Sequence, residues 1–193
     1  VTKRVIALAV GGASVLRFRG PGTVVLLEGA ARCFGASLRV HAMCGFEDQQ
    51  VTVECAGPAA ARIEVSGRFD AEETVVDSGV CDIHAQLDAA RLSAVANGGE
   101  GPVVLLVGAC DTGKSTLALQ LANRAATPVE GRAANTAAVT HVELDIGQPS
   151  MGCPGALSAT FMRSPLPPGD EHSGTVPLSF FFGDKTVTPQ SAP

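Results

Sequence analysis

The stretch Gly108-Ala109-Cys110-Asp111-Thr112-Gly113-Lys114-Ser115-Thr116 decides how this chain is read. It fits G-x-x-x-x-G-K-[ST] in full, follows the apolar run Pro102–Val107 and opens a helical stretch over Lys114–Ala126. An apolar strand, a glycine-rich turn and a helix that begins at a lysine give this pattern its mechanism. Glycines let the loop wrap so that consecutive backbone N–H groups face phosphates, and the helix N-terminus adds the positive end of its dipole. Lys114 is then placed to reach the β- and γ-phosphates, and the Ser115 hydroxyl to hold Mg²⁺. A bound nucleoside triphosphate is the expected ligand of this P-loop, or Walker A, segment.

Working downstream, such a site needs a carboxylate at the end of a neighbouring strand. The apolar run over residues 137–146, with Glu143 and Asp145, supplies one about thirty residues on. In a strand both carboxylates point the same way, and Asp145, nearer the C-terminal end, is the better placed to hold metal-bound water or accept a proton from an attacking hydroxyl. The competing reading is a solvated carboxylate that ends a strand. Asp111, inside the loop, is read as loop-shaping or substrate-facing. Asp145-Ile146-Gly147-Gln148 is one residue shorter than the Asp-x-x-Gly-Gln of GTPases, and no Asn-Lys-x-Asp occurs, which disfavours that class. Residues 163–174, rich in Pro and Gly, read as a loop, and Leu178–Phe182 as one further strand with its phenylalanines buried.

Upstream, short apolar runs (5–10, 15–18, 23–27, 37–43, 50–55, 61–65 and 74–76) alternate with Gly and Pro signals such as Gly20-Pro21-Gly22. That pattern predicts a small antiparallel sandwich or barrel. Helical spacing over Asp82–Ala96, stopped by Asn97-Gly98-Gly99, predicts a connecting helix. The expected architecture is β followed by α/β. An N-terminal β-sandwich spans 1–80, a helix and linker 81–100, and a P-loop domain with a parallel sheet 101–193, incomplete because its lid and remaining strands are missing.

Composition narrows the function classes. The chain has 193 residues, 46% hydrophobic and 17% charged, so it is expected to fold rather than remain disordered. A net charge of −5, with lysine only at 3, 114 and 185, lacks the footprint of a duplex binder. Without Trp or Tyr, base stacking would rest on Phe alone. Arg17, Arg19, Arg32 and Arg39 could give the first domain a slightly basic face. Neither a signal peptide nor a bilayer-spanning run is expected. The six cysteines (33, 44, 55, 81, 110, 153) show no metal-ligand spacing and are read as reduced small hydrophobes in an intracellular protein. His41, His84, His141 and His172 are dispersed and read as structural or exposed.

Several segments carry a family resemblance. Val142-Glu-Leu-Asp145-Ile-Gly-Gln148, then Pro154-Gly155-Ala-Leu-Ser158 and Pro177-Leu-Ser-Phe-Phe-Phe-Gly183, resemble the polynucleotide 5′-hydroxyl kinases, most of all the kinase subunit of the nuclear pre-mRNA cleavage complex. Gly29-Ala-Ala-Arg-Cys-Phe34-Gly35, Ile63–Gly67, Ala71–Thr74 and Asp82–Leu87 resemble the family's N-terminal part.

The resemblance implies ATP and Mg²⁺ as cofactors and transfer of the γ-phosphoryl group to the 5′-hydroxyl of RNA. It also implies nuclear work in mRNA 3′-end formation and tRNA splicing, with protein subunits of those complexes as partners. Carried over by position, Gly108 through Thr116 bind the phosphates. Lys114 and Asp145 carry catalysis, Ser115 and Asp145 the metal, and Gln148 is placed without a derived role. Ala109-Cys110 departs from the family's Pro or Gly-Pro, and Arg19 stands where its adenine-side Glu is expected. The family also includes members that hold ATP without turning it over, so a non-catalytic ATP-binding scaffold subunit of a cleavage and polyadenylation complex is the alternative.

Overall fold

A computed structural model describes residues 2–127, 138–147, 153–166, 168, 178–184 and 186. The first part is an antiparallel seven-stranded sheet: β1 (Thr2–Leu8), β2 (Gly12–Glu28), β3 (Ala31–Cys33), β4 (Ala36–Ser37), β5 (Met43–Glu47), β6 (Gln50–Cys55) and β7 (Ala61–Val75). Its order is β1-β7-β2-β6-β3-β4, with β5 also on β2.

Two strands are longer than their sequence suggests. Gly20-Pro21-Gly22 reads as a break, yet β2 passes through it and pairs with β7 on both sides, with a register shift between Phe18 and Gly22. Proline lacks an N–H and Gly20 takes φ +91°, so the strand bulges and bends instead of ending. Before the bend β2 pairs with β6, and after it with β5. Both halves of the bent sheet feed one core. Leu16, Val51 and Val53 come from one half and Val24, Leu26, Ile63 and Val65 from the other, all at most 1% exposed. Phe18 stacks on Phe46 with centroids 5.6 Å apart. Burying each aliphatic side chain contributes roughly 1.5–3 kcal/mol.

Two of the four arginines expected on a basic face are ion-paired on the sheet. Arg17 pairs with Glu72 at 3.5 Å and Arg19 with Asp70 at 2.6 Å.

Helix α1 (Ser78–Asn97) covers the predicted connecting helix. Asp77 caps it by accepting from Gly79 N at 2.9 Å, and Gly98, left-handed at φ +63°, ends it while the Gly99 N–H returns to Ala94 O at 2.8 Å. Helix α2 (Lys114–Ala126) has the predicted bounds. Among the described residues, no helix is long and apolar enough to cross a membrane.

The second sheet corrects the parallel α/β expectation. Among the described residues it has three strands, β8 (Val139–Glu143), β9 (Ala156–Met162) and β10 (Leu178–Phe181), in the order β10-β9-β8 with both pairings antiparallel. The run 102–107, expected as a strand buried on both faces, joins no ladder. Val103, Leu105 and Val107 are 96%, 72% and 83% exposed. A strand exists only by pairing, and β8 pairs with β9, its neighbour in sequence, not with this run. β10 is a strand as expected, but Phe180 and Phe181 are exposed, because α2 packs on β8 and β9 through Ala122, Ala126, Val139 and Met162 and leaves β10 outside that cluster. The predicted loop 163–174 falls mostly outside the described residues.

Candidate functional site

The loop between Val107 and α2 is built by backbone conformation. Asp111 has φ +58° and Gly113, the residue before the helix, φ +80°. Left-handed residues spaced in this way curl a chain so that successive N–H groups share a concave side. Asp111 adopts that conformation without being glycine, as aspartate does more readily than most residues. Two groups cross the loop to one carbonyl: Thr112 Oγ1 donates to Ala109 O at 2.9 Å and Lys114 Nζ to the same oxygen at 2.5 Å. A Cβ on Gly108 would lie 3.1 Å from Thr112 Oγ1 and 3.5 Å from Lys114 Cδ, so this glycine keeps the cradle open. Leu117 N donates to Gly113 O at 2.9 Å, closing the first helical turn. Cys110, Ser115 and Thr116 are exposed.

Asp145 lies beyond the end of β8, in the turn 144–147, and accepts from Gly147 N at 2.9 Å. Strand alternation therefore does not govern where it points. That turn is held from behind: Ile146 is buried, its carbonyl accepts from Gly155 N at 2.8 Å, and Gly155 O accepts from Phe182 N at 2.7 Å. A Cβ on Gly155, at φ +85°, would lie 3.3 Å from the Phe181 ring. The Pro154-Gly155 motif thus braces the acidic turn. Glu143 is half-buried on β8, and Gln148 lies outside the described residues.

His141, opposite Thr160 in the register, sits on the half-buried face of β8. Burial lowers its pKa, and the nearby Glu143 carboxylate partly opposes the shift. Burial also raises the Cys44 thiol, which keeps it protonated.

What the sequence did not reveal is how α2 is held. Asn123, 1% exposed, donates through Nδ2 to Phe34 O at 2.8 Å and accepts at Oδ1 from Leu166 N at 2.8 Å. Arg124 is ion-paired with Glu54 of β6. The nearest hint in the sequence is the Phe34-Gly35 pair. It forms the two-residue turn between β3 and β4, with φ +48° and +77°, and a Cβ on Gly35 would lie 2.5 Å from Gln120 O of α2.

A glycine-rich loop leading into a helix at Lys-Ser-Thr, docked on an antiparallel β unit, defines a P-loop nucleotide-binding protein. Residues 108–192 match the family model described as the mRNA cleavage and polyadenylation factor CLP1 P-loop. The chain is 30% identical over 174 residues to the protein CLP1 homolog of Dictyostelium discoideum, covering 86% of this chain and 35% of that one. It is 31% identical over 164 residues to the polyribonucleotide 5′-hydroxyl-kinase Clp1 of Homo sapiens, covering 83% of this chain and 37% of that one. Two solved structures containing Clp1p and Pcf11p share its fold, with TM-scores of 0.74 and 0.75 at 20% identity over 95% of this chain. Over most of its length this chain is thus similar to proteins named Clp1, and residues 108–192 match the P-loop segment of that family. It spans little more than a third of the length of the curated relatives it matches (35% and 37%) and 45–46% of the solved chains.

Proposed function

We propose that this chain is the nucleotide-binding part of an ATP-dependent RNA 5′-hydroxyl kinase acting in the nucleus, in mRNA 3′-end processing and tRNA splicing, with subunits of a pre-mRNA cleavage complex as partners. The observation that carries the reading is the phosphate loop itself: left-handed Asp111 and Gly113, the open cradle at Gly108, and Lys114 at the first turn of α2. In this reading residues 1–80 form a β-sandwich unit, 81–100 a connector, and 101–193 part of a kinase domain whose lid belongs to a longer protein. The names of the relatives support kinase chemistry, and the Pcf11p-bound structures support a protein partner of that kind.

One packing contact is compatible with a shared site for the loop and Asp145. Val139 at the start of β8 packs in one cluster with Ala126 at the end of α2. From Val139 to Asp145 is about 20 Å of extended chain, and from Ala126 back to Lys114 about 18 Å of helix. A helix and a strand of these lengths running in opposite senses from that cluster would bring Asp145 level with the phosphate loop.

The residues fit Mg²⁺. The Ser115 hydroxyl and the Asp145 carboxylate are exposed hard-oxygen donors, and a Mg²⁺ shared with phosphates needs only one or two protein ligands. When bound, the ion would neutralise charge on the transferring phosphoryl group. Lys114 and the loop amides would do the same from the protein side, while Asp145 would orient the attacking hydroxyl.

The test is transfer of labelled γ-phosphate from ATP to a 5′-hydroxyl RNA by the complete polypeptide that contains this sequence. Transfer that Lys114→Ala abolishes supports the kinase. Retained ATP binding with no transfer would replace it with the non-catalytic scaffold, and absence of ATP binding would remove both.

A further inference from the structure

We infer that Asn123 is a positioning residue that locks α2 to the N-terminal sheet, so that nucleotide at the phosphate loop is felt at the β3–β4 turn. The inference rests on the nucleotide reading above. Asn123 is buried, and both ends of its carboxamide are used by backbone from opposite sides: Phe34 O of the β3–β4 turn accepts from Nδ2, and Leu166 N, just beyond β9, donates to Oδ1. One partner can only accept and the other can only donate, so the amide has a single orientation. Its own carbonyl also accepts from Thr127 Oγ1 at 2.8 Å, fixing the end of the helix.

A buried asparagine that only filled space would be replaceable by leucine. This one ties two chain segments to a helix whose first residues are Lys114 and Ser115. The contact around it is close and rigid. A Cβ on Gly35 would lie 2.5 Å from Gln120 O and 3.2 Å from Arg124 Cγ, so the turn rests on the helix backbone itself. The Arg124–Glu54 pair adds a second tie one residue on, to β6. The phosphate-facing first turn and Asn123 sit on one continuous helix, so phosphate bound at its N-terminus is coupled to the grip on Phe34.

The experiment is hydrogen exchange on the full chain with and without Mg-ATP, read at loop amides 109–116 and at turn amides 34–38. The Leu38 N–H, which bonds to Ala31 O at 2.9 Å, reports on the turn. In the wild type, nucleotide is expected to slow exchange at both places. Asn123→Asp keeps the size and the acceptor for Leu166 N but turns a carboxylate toward Phe34 O. It is expected to abolish nucleotide-dependent slowing at the turn and weaken Mg-ATP binding about tenfold. Glu54→Gln, a milder change, is expected to reduce the slowing about threefold and serves if Asn123→Asp does not fold. Ile6→Ala removes core volume on β1, at the opposite edge of the sheet from β3 and β4 and away from the latch. It is expected to lower the melting temperature while leaving nucleotide-dependent slowing at the turn intact, which separates positioning from mere stability. Slowing at 109–116 without any at 34–38 in the wild type overturns the latch and leaves the nucleotide site standing. No slowing at 109–116 overturns the nucleotide site and the latch with it.

Discussion

Arg124 of α2 meets Glu54 of β6 at 2.5 Å with side chains only 9% and 15% exposed, so the helix that opens at the phosphate-loop lysine is ion-paired to the N-terminal sheet. Removing one partner of a shielded pair leaves the other charge desolvated and unopposed. Glu54→Leu is expected to destabilise the chain by about 3 kcal/mol, and the double change Glu54→Leu with Arg124→Met to recover most of that loss. Denaturant melts of the two variants and the wild type test it, and equal losses in single and double variants would show that the pair does not act as a unit.

Gly35 and Gly45 make a matched comparison. Gly35 sits at φ +77° with Gln120 O in the way of any Cβ, whereas Gly45 in β5 has nothing within 4 Å. Gly35→Ala is expected to cost about 2 kcal/mol or more and Gly45→Ala to stay within about 0.5 kcal/mol of the wild type. Thermal unfolding of the two proteins settles the difference, and a similar melting temperature for both would contradict the helix–turn contact.

Lys114→Ala is expected to weaken Mg-ATP binding roughly 10- to 100-fold, the range for losing a charge-assisted bond to phosphate. Calorimetric titration measures it. Asp145→Asn is expected to match the wild type when EDTA removes Mg²⁺ and to bind more weakly than the wild type when Mg²⁺ is present. Equal affinity in both media would take Asp145 out of the metal site.

His141 sets a pH dependence. Burial lowers its folded-state pKa below the ordinary 6.5. Above that value both native and unfolded imidazoles are neutral and the group has no effect. As pH falls below it, the unfolded chain takes up a proton that the native state resists, so stability drops. Compared with His141→Gln, the wild type is expected to lose stability between pH 6.5 and 5, no more steeply than about 1.4 kcal/mol per pH unit, and to run parallel to the variant above pH 7. Parallel curves throughout would mean that His141 titrates as it does in the unfolded chain.

The phosphate loop and both helices were legible because their signals are local. Gly113 before Lys114, and Asn97-Gly98 after the apolar spacing of α1, fix backbone conformation within a few residues. β9 was not legible. Its buried face is Ala156, Ser158, Thr160 and Met162, of which the first three are small or polar and do not stand out as an apolar stripe. The run 102–107 misled for the opposite reason, since five consecutive apolar side chains read as a buried strand, but a strand needs a partner that composition cannot supply. Asn123 gave no signal at all: its partner Phe34 O lies 89 residues away, and a mid-helix asparagine looks like surface.

The largely exposed run Val103-Val104-Leu105-Leu106-Val107 has a practical side as well. It is uncharged, rich in valine and free of proline, the composition from which cross-β stacks grow, and it belongs to the same chain as the bare rings of Phe180 and Phe181. Purified by itself, the polypeptide presents a ready seed for fibre growth. Its shelf life in concentrated solution is then governed by how quickly these few residues find a cover, and much less by the well-buried core of the N-terminal sheet.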